Sequence, residues 1–280
     1  MTRWLVTGAG GMLGTDLVAL LTREGEETVA LTRHDLDLLD ADAVVTTVRE
    51  VKPDVVVNCA AWTAVDDAEA REGEALALNG HAVRTLAEAC GERLIQISTD
   101  YVFDGSSPEP YTEDAPTSPI NAYGRTKLAG EQAALAHGGQ VVRTAWLYGA
   151  HGPNFVKTMM RLATERDTVS VVDDQVGQPT WTADLSAQIV RLARADAPPG
   201  VYHGTSAGRT SWHGFAREVF TLLGADPDRV LPLSAAGFPR PAARPANSVL
   251  GHDRWAAAGV APLRDWREAL RAAWPHLSAG

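Results

Sequence analysis

In the first half of the chain, short apolar runs alternate with stretches in which apolar residues recur every three or four positions. Trp4-Leu5-Val6-Thr7, Thr28-Val29-Ala30-Leu31-Thr32, Asp54-Val55-Val56-Val57-Asn58, Arg93-Leu94-Ile95-Gln96-Ile97-Ser98 and Gln140-Val141-Val142-Arg143 read as strands. Most are continuous apolar runs rather than alternating ones, as strands covered on both faces should be. Helical spacing fills the gaps, over residues 12–24, 41–51, 72–90 and 121–137. In the first of these, Leu13, Leu17, Leu20 and Leu21 share one face. Strand alternating with helix predicts right-handed crossovers and a doubly wound parallel sheet, a Rossmann-like α/β fold.

After Gly149 the rhythm changes. Residues 155–166, 182–194, 211–223 and 263–274 read as helices. A turn at Pro198-Pro199-Gly200 precedes Val201-Tyr202-His203, and a proline-rich loop covers residues 238–245. No linker or internal repeat divides the chain. The pattern predicts a core over residues 1–149 and a smaller C-terminal lobe over residues 150–280, some of whose segments return to the core.

The bulk composition narrows the partners. The chain has 280 residues and a formal net charge of -10, which does not suit nucleic acid or an anionic membrane as a main partner. No apolar run approaches the ~20 residues a transmembrane helix needs. The first residues run straight into a strand instead of the apolar core of a signal peptide. A cytoplasmic protein is expected, monomeric or homodimeric. The two cysteines, Cys59 and Cys90, lie apart in apolar stretches and read as buried, reduced thiols.

Chemistry enters at the first strand–helix junction. Gly8-Ala9-Gly10-Gly11-Met12-Leu13-Gly14 places glycines at positions 8, 11 and 14, so the backbone can approach a pyrophosphate laid on the helix N-terminus. In this position the loop predicts a dinucleotide site in the core, with the later lobe facing the substrate. The second strand ends at Leu31-Thr32-Arg33-His34, where an NAD-selective site usually carries an acid. Arg33 suits a 2′-phosphate, which favours NADPH and leaves NADH as the alternative. Arg33 as a plain solvated residue is nearly as good a reading. Asp37-Leu38 is expected to end a third short strand, where an acid meets the adenine.

Ser98-Thr99-Asp100-Tyr101 follows a buried strand at its carboxyl end, where ligands bind in open α/β sheets. Downstream, Tyr123 and Lys127 share one helix face. A nearby ammonium favours a phenolate, so Lys127 is expected to lower the Tyr123 pKa and ready it to protonate a carbonyl oxygen. Lys127 would also hold the nicotinamide ribose. The Thr99 hydroxyl would orient the carbonyl. A Tyr-x-x-x-Lys pair alone is usually a surface pair; its combination with the glycine loop and Thr99 carries the argument.

These segments resemble the extended short-chain dehydrogenases/reductases, and within them the dTDP-4-dehydrorhamnose reductase family. The resemblance also rests on Asn58-Cys59-Ala60-Ala61-Trp62-Thr63-Ala64-Val65-Asp66, Arg143-Thr144-Ala145-Trp146-Leu147-Tyr148-Gly149 and Asp174-Gln175-Val176-Gly177-Gln178-Pro179-Thr180, with a weaker match at Arg244-Pro245-Ala246-Asn247-Ser248. It implies reduction of the C4 ketone of a dTDP-linked 6-deoxy sugar by a Thr99, Tyr123 and Lys127 triad. It implies cofactor contacts from Ala60, Ala61, Thr63 and Asn79. It places Asp100, Tyr101, Trp146, Gln178 and Thr180 at the substrate. The chain departs from the family in carrying Leu250-Gly251 in place of Leu-Asp, and Trp62 in place of a tyrosine. Asp16 stands where some members bind magnesium through a glutamate, and no metal site is predicted from it.

Arg240 and Arg244 read equally as diphosphate ligands or as exposed cations. Competing functions are a 4-ketoreductase for another dTDP-deoxysugar and a nucleotide-binding subunit without catalysis. An epimerase or dehydratase of the same superfamily is a third. Asp100-Tyr101 after Thr99 argues against dehydration, which tends to use an Asp-Glu pair there.

Overall fold

The computed structural model describes residues 1–195 and 197–277. Its main sheet contains β1 (Arg3–Thr7), β2 (Glu27–Leu31), β3 (Val55–Asn58), β4 (Leu94–Thr99), β5 (Gln140–Thr144) and the strand Gly200–His203. The order across the sheet is Gly200–His203, β5, β4, β3, β1, β2, and every pairing is parallel. The expected doubly wound α/β class is therefore correct.

β1 shows why its strand reads as a continuous apolar run. Trp4 and Val6 point into one layer, with Leu17 and Leu21 of α1 (Met12–Arg23). Leu5 points into the other, with Val44 and Val48 of α2 (Ala41–Val51). Alternate side chains enter opposite cores, so both sets must be apolar.

Residues 72–90 form one rod, but not a plain α-helix. α4 (Glu72–Leu76) passes through a π-helical turn, Ala77–His81, into α5 (Ala82–Cys90). A further short helix, α3 (Val65–Ala70), precedes it and was not expected. The π turn carries Asn79, whose side-chain nitrogen donates to the Trp62 carbonyl and to the Thr126 hydroxyl on α6 (Ala122–Ala136). Such widened turns recur where a helix must present a side chain off its regular face.

Two further expectations need correction. Asp37-Leu38 lies in a turn and ends no strand. Asp35 accepts hydrogen bonds from the Thr32 amide and hydroxyl, and Asp37 from the Leu39 amide. These local bonds give the backbone an alternative to a sheet ladder. The last helix, Trp266–Leu277, begins three residues later than residue 263, because the Asp265 carboxylate accepts the Arg267 amide at its start.

The C-terminal part supplies α7 (Phe155–Glu165), α8 (Thr182–Arg194), α9 (Trp212–Leu222), α10 (Asp253–Ala257) and α11 (Trp266–Leu277). Tyr148, Phe215, Phe220 and Trp266 anchor a core of their own. Two elements leave it. Leu185 and Ile189 of α8 pack with Leu17 and Leu21 of α1, and Gly200–His203 becomes an edge strand of the main sheet. Among the described residues, no helix is long and apolar enough to cross a membrane.

α6 is bound to the sheet by charge as well as packing. Arg143 of β5 makes a two-pronged pair with Glu131 of α6, at 2.9 and 2.8 Å, with side chains 4% and 1% exposed. Removing one partner strands the other charge in the core. Glu131→Ala is therefore expected to cost about 3–5 kcal/mol in urea unfolding, and replacing both residues with apolar ones to recover much of it. A loss near zero for the single variant would show the pair to be dispensable.

Candidate active site

The site begins where β4 ends. Its last residue, Thr99, is 5% exposed and accepts the Tyr101 amide at 3.2 Å, capping the 3₁₀ turn Asp100–Val102. The Thr99 hydroxyl donates to Asp100 Oδ1 at 3.0 Å. Opposite stands the first turn of α6, capped by Asn121, whose side chain accepts the Gly124 amide at 2.7 Å. A Cβ at Gly124 would collide with the Tyr101 carbonyl. The glycine thus lets α6 lie directly on the turn after β4 and brings Tyr123 to Thr99. The Tyr101 and Tyr123 rings meet edge to face, with centroids 5.9 Å apart.

Tyr123 and Lys127 share the α6 face, but their electrostatics differ from the sequence expectation. Burial pushes the Tyr123 phenol up to about 12; the Thr99 hydroxyl opposes this and the Asp100 charge adds to it. Lys127 does not contribute, because its Nζ turns to the Ile97 carbonyl at 2.6 Å. Burial pulls Lys127 down to about 8, against the pull of the Glu131 and Cys59 charges. Tyr123 is thus a neutral proton donor throughout the physiological range. Burial also moves Asp100 up to about 6.

The glycine loop has a cradle shape. Gly8 has a φ of 67°, in the left-handed region, and a Cβ there would strike the Ala60 backbone. A Cβ on Gly14 would strike the Gly8 carbonyl. Gly11 starts α1 with no side-chain cap, and no acid occupies the first turn, so its amides remain open to an anion. Met12 is half-buried and Leu13 buried beneath the loop, while Gly10 is exposed at its rim. Thr7 and Gln96 hold Asn58, which accepts the Ala60 amide at 3.1 Å. That bond fixes Ala60 beside the cradle, with Ala61 half-buried and Thr63 exposed further along. Arg33 is exposed at the end of β2, and no carboxylate among the described residues pairs with it. Asp37 is exposed and Leu38 buried. These features fit a phosphorylated dinucleotide.

Other expected contacts occupy supporting positions. Asn79 is 1% exposed, and its amide is spent on the Trp62 backbone and Thr126. Gln178 accepts the Leu250 amide at 2.8 Å and donates to the Leu250 carbonyl at 3.2 Å. Thr180 is fully buried, donating to the Gln178 carbonyl and accepting the Ser206 amide. All three brace backbone instead of offering a free polar atom. Asp16 accepts the Thr182 hydroxyl and lies 3.5 Å from His151 Nε2.

Beyond Tyr101 a cleft of about 380 Å³ opens, lined among others by Phe155, Gln175, Trp212, Phe238, Arg240 and Arg244. Trp146 stands behind it with a φ of 48°, its ring stacked on Trp212 at 3.6 Å and backed by Gly177. Arg244 grips Asp66 of α3 with two hydrogen bonds of 2.8 and 3.0 Å, and Arg240 reaches the same carboxylate at 3.4 Å. The Arg244 bonds hold the Asp66 carboxyl below its usual range. Trp212 and Phe155 escaped the sequence reading because each looks like an ordinary helix-start aromatic. Asp66 lies inside a matching segment but carried no chemical signal of its own.

A protein-family model described as RmlD substrate binding domain matches residues 2–278. The chain is 56% identical to a dTDP-4-keto-6-deoxy-D-glucose reductase of Streptomyces niveus, over 99% of this chain and 98% of that one. It is 55% identical to a dTDP-4-dehydrorhamnose reductase of Streptomyces griseus, over 98% and 94%. A crystal structure of dTDP-4-dehydrorhamnose reductase from Bacillus anthracis in complex with NADP superposes with a TM-score of 0.94 at 38% identity, covering 98% of this chain and 99% of that one. The chain belongs to the family that the RmlD substrate binding domain model describes.

Proposed function

We propose that this chain is a cytoplasmic reductase that uses NADPH to reduce the C4 ketone of a dTDP-linked 4-keto-6-deoxy sugar, with dTDP-4-dehydro-L-rhamnose as substrate. The observation that carries this reading is the placement of a neutral, half-buried Tyr123 beside Thr99 at the carboxyl end of β4, on the sheet edge that also bears the glycine cradle. A non-catalytic nucleotide-binding subunit has no use for that arrangement. Relatives named for dTDP-4-dehydrorhamnose and for dTDP-4-keto-6-deoxy-D-glucose match almost equally well, so a 4-ketoreductase of the second sugar is the alternative.

The bound NADPH would supply a hydride to the ketone carbon. The cradle of Gly8, Gly10, Gly11 and Gly14, with Met12 and Leu13, would hold its pyrophosphate on the open amides of α1. Arg33 would meet the 2′-phosphate, with Asp37 and Leu38 near the adenine. Ala60, Ala61 and Thr63 would flank the cofactor, and Asn79 would brace their loop. Lys127, charged below about 8, would hold the nicotinamide ribose. Thr99 would orient the ketone oxygen and Tyr123 would protonate it. Asp100 and Tyr101 would border the sugar, with Trp146 packing on it. Arg244 would lie beside the diphosphate, and Gln178 and Thr180 would support that wall from behind.

Three outcomes test the reading. Tyr123→Phe is expected to lower kcat by about 10²–10⁴-fold while NADPH binding, followed by fluorescence, is kept. A variant as fast as the wild type would remove Tyr123 from the chemistry. kcat/KM is expected to fall as pH rises past about 8, because Lys127 is charged below that value and neutral above it. Lys127→Arg stays charged and should lose that alkaline fall; if the fall persists, another group causes it. In a panel of dTDP-4-keto-sugars, dTDP-4-dehydro-L-rhamnose should lead by about tenfold or more in kcat/KM. A lead for dTDP-4-keto-6-deoxy-D-glucose would select the alternative.

A further inference from the structure

Most polar side chains between Asp174 and Thr180 are spent inside the chain. Asp174 accepts the Ser234 hydroxyl at 2.7 Å and the Ala235 amide at 2.8 Å. Gln178 is taken by Leu250 and by the Thr205 hydroxyl, and Thr180 by the Gln178 carbonyl and the Ser206 amide. Gln175 is the exception. It is half-buried and lines the cleft beyond Tyr101, and its side chain makes no hydrogen bond to any described residue. It is also the only carboxamide among the described residues that line this cleft. A concave wall that holds an amide with its donors and its acceptor all unused is ready to orient a ligand.

The surroundings of Gln175 favour a flat ligand. Its neighbour Val176 pairs with Ser211 and with Asn247, so Gln175 stands between the start of α9, which carries Trp212, and the segment that carries Arg244. Trp212 has one face on Trp146, and Phe155 and Phe238 bring two more rings to the same cleft. Apart from Arg240 and Arg244, no described lining residue is charged. With the sugar toward Trp146 and the diphosphate at Arg244, this uncharged aromatic part is left for the nucleoside. A carboxamide holds a donor and an acceptor side by side in one plane. The imide edge of thymine, N3–H beside C4=O, offers the matching pair, whereas a deoxyribose offers single hydroxyls. We propose that Gln175 recognises the thymine base, its side-chain oxygen accepting N3–H and its nitrogen donating to O4. This rests on the reductase reading above and adds to it the residue that reads the nucleotide.

Thymidine diphosphate and its N3-methyl derivative isolate this contact, because the methyl group removes N3–H and leaves the phosphates unchanged. Both are titrated calorimetrically into enzyme saturated with NADPH. The wild type should bind dTDP about tenfold or more tightly than N3-methyl-dTDP. Gln175→Ala should bind dTDP about tenfold more weakly, and the gap between the two ligands should close to about threefold or less. A merely structural role would weaken both ligands and keep the gap. A gap that persists in the variant, or two equal ligands in the wild type, overturns the assignment. If Gln175→Ala does not fold by circular dichroism, or binds too weakly to measure, Gln175→Met, which keeps the length without donor or acceptor, is judged by the same criterion. Turnover by the wild type keeps the two readings apart. If it oxidises NADPH with no dTDP-4-keto-sugar, the reductase reading falls; a working wild type with either binding criterion unmet removes the base contact alone.

Discussion

The site depends on how closely α6 lies against the ends of β4 and β5. Two glycines make the approach possible, because side chains at Gly124 and Gly130 would run into the Tyr101 and Asn79 carbonyls. Two polar contacts fix it: the Arg143–Glu131 pair and the bond from Lys127 Nζ to the Ile97 carbonyl. With α6 seated, Tyr123 has one place to be, beside the Thr99 hydroxyl. A helix held an ångström farther out would keep the same residues on the same face and lose the contact that makes them a site.

The same seat explains the unusual electrostatics. Closing α6 over β4 removes water from Tyr123, Lys127 and Asp100 together. Desolvation favours the neutral form of each, so it raises the two acids and lowers the lysine. In the cleft beyond, cations and anions are matched instead: Arg240 and Arg244 share Asp66. An incoming diphosphate would therefore compete with a carboxylate for the same guanidinium groups, and the segment that carries them would be held to α3 until it did. Among the described residues, no carboxylate pairs with Arg33 at the other end of the sheet edge.

Much of this was legible in the sequence because it follows from periodicity. β1 is apolar on both faces and had to be a central strand, and the glycine loop could only sit at its carboxyl end. Tyr123 and Lys127 share a face by helical spacing alone. What could not be read were long-range contacts. Nothing near Gln178 signals that its amide would be spent on Leu250, 72 positions away. The π turn at Ala77–His81 follows from Asn79 reaching Trp62 and Thr126, a tertiary demand that leaves the local pattern helical. The sign of the Tyr123 shift was missed for a related reason. Spacing puts an ammonium nearby, but only the folded chain shows it aimed at Ile97 and shows how much water the phenol has lost.

The buried acids separate stability from use. Glu131 is compensated by Arg143 and can be understood as part of the frame. Asp100 has no such cation; hydrogen bonds from Ser248 and Thr99 only partly offset its burial. Its folded pKa of about 6 lies above the ordinary carboxylate value near 3.9. The folded state therefore binds the proton more tightly than the unfolded chain, and the stability this gives below pH ~4 is lost as pH rises through about 6. At neutral pH the fold carries an ionised Asp100 at a net cost. A neutral side chain of the same shape would relieve that cost. The carboxyl group at this position works against the stability of the chain, and it stands at the carboxyl end of β4, where ligands bind in sheets of this kind.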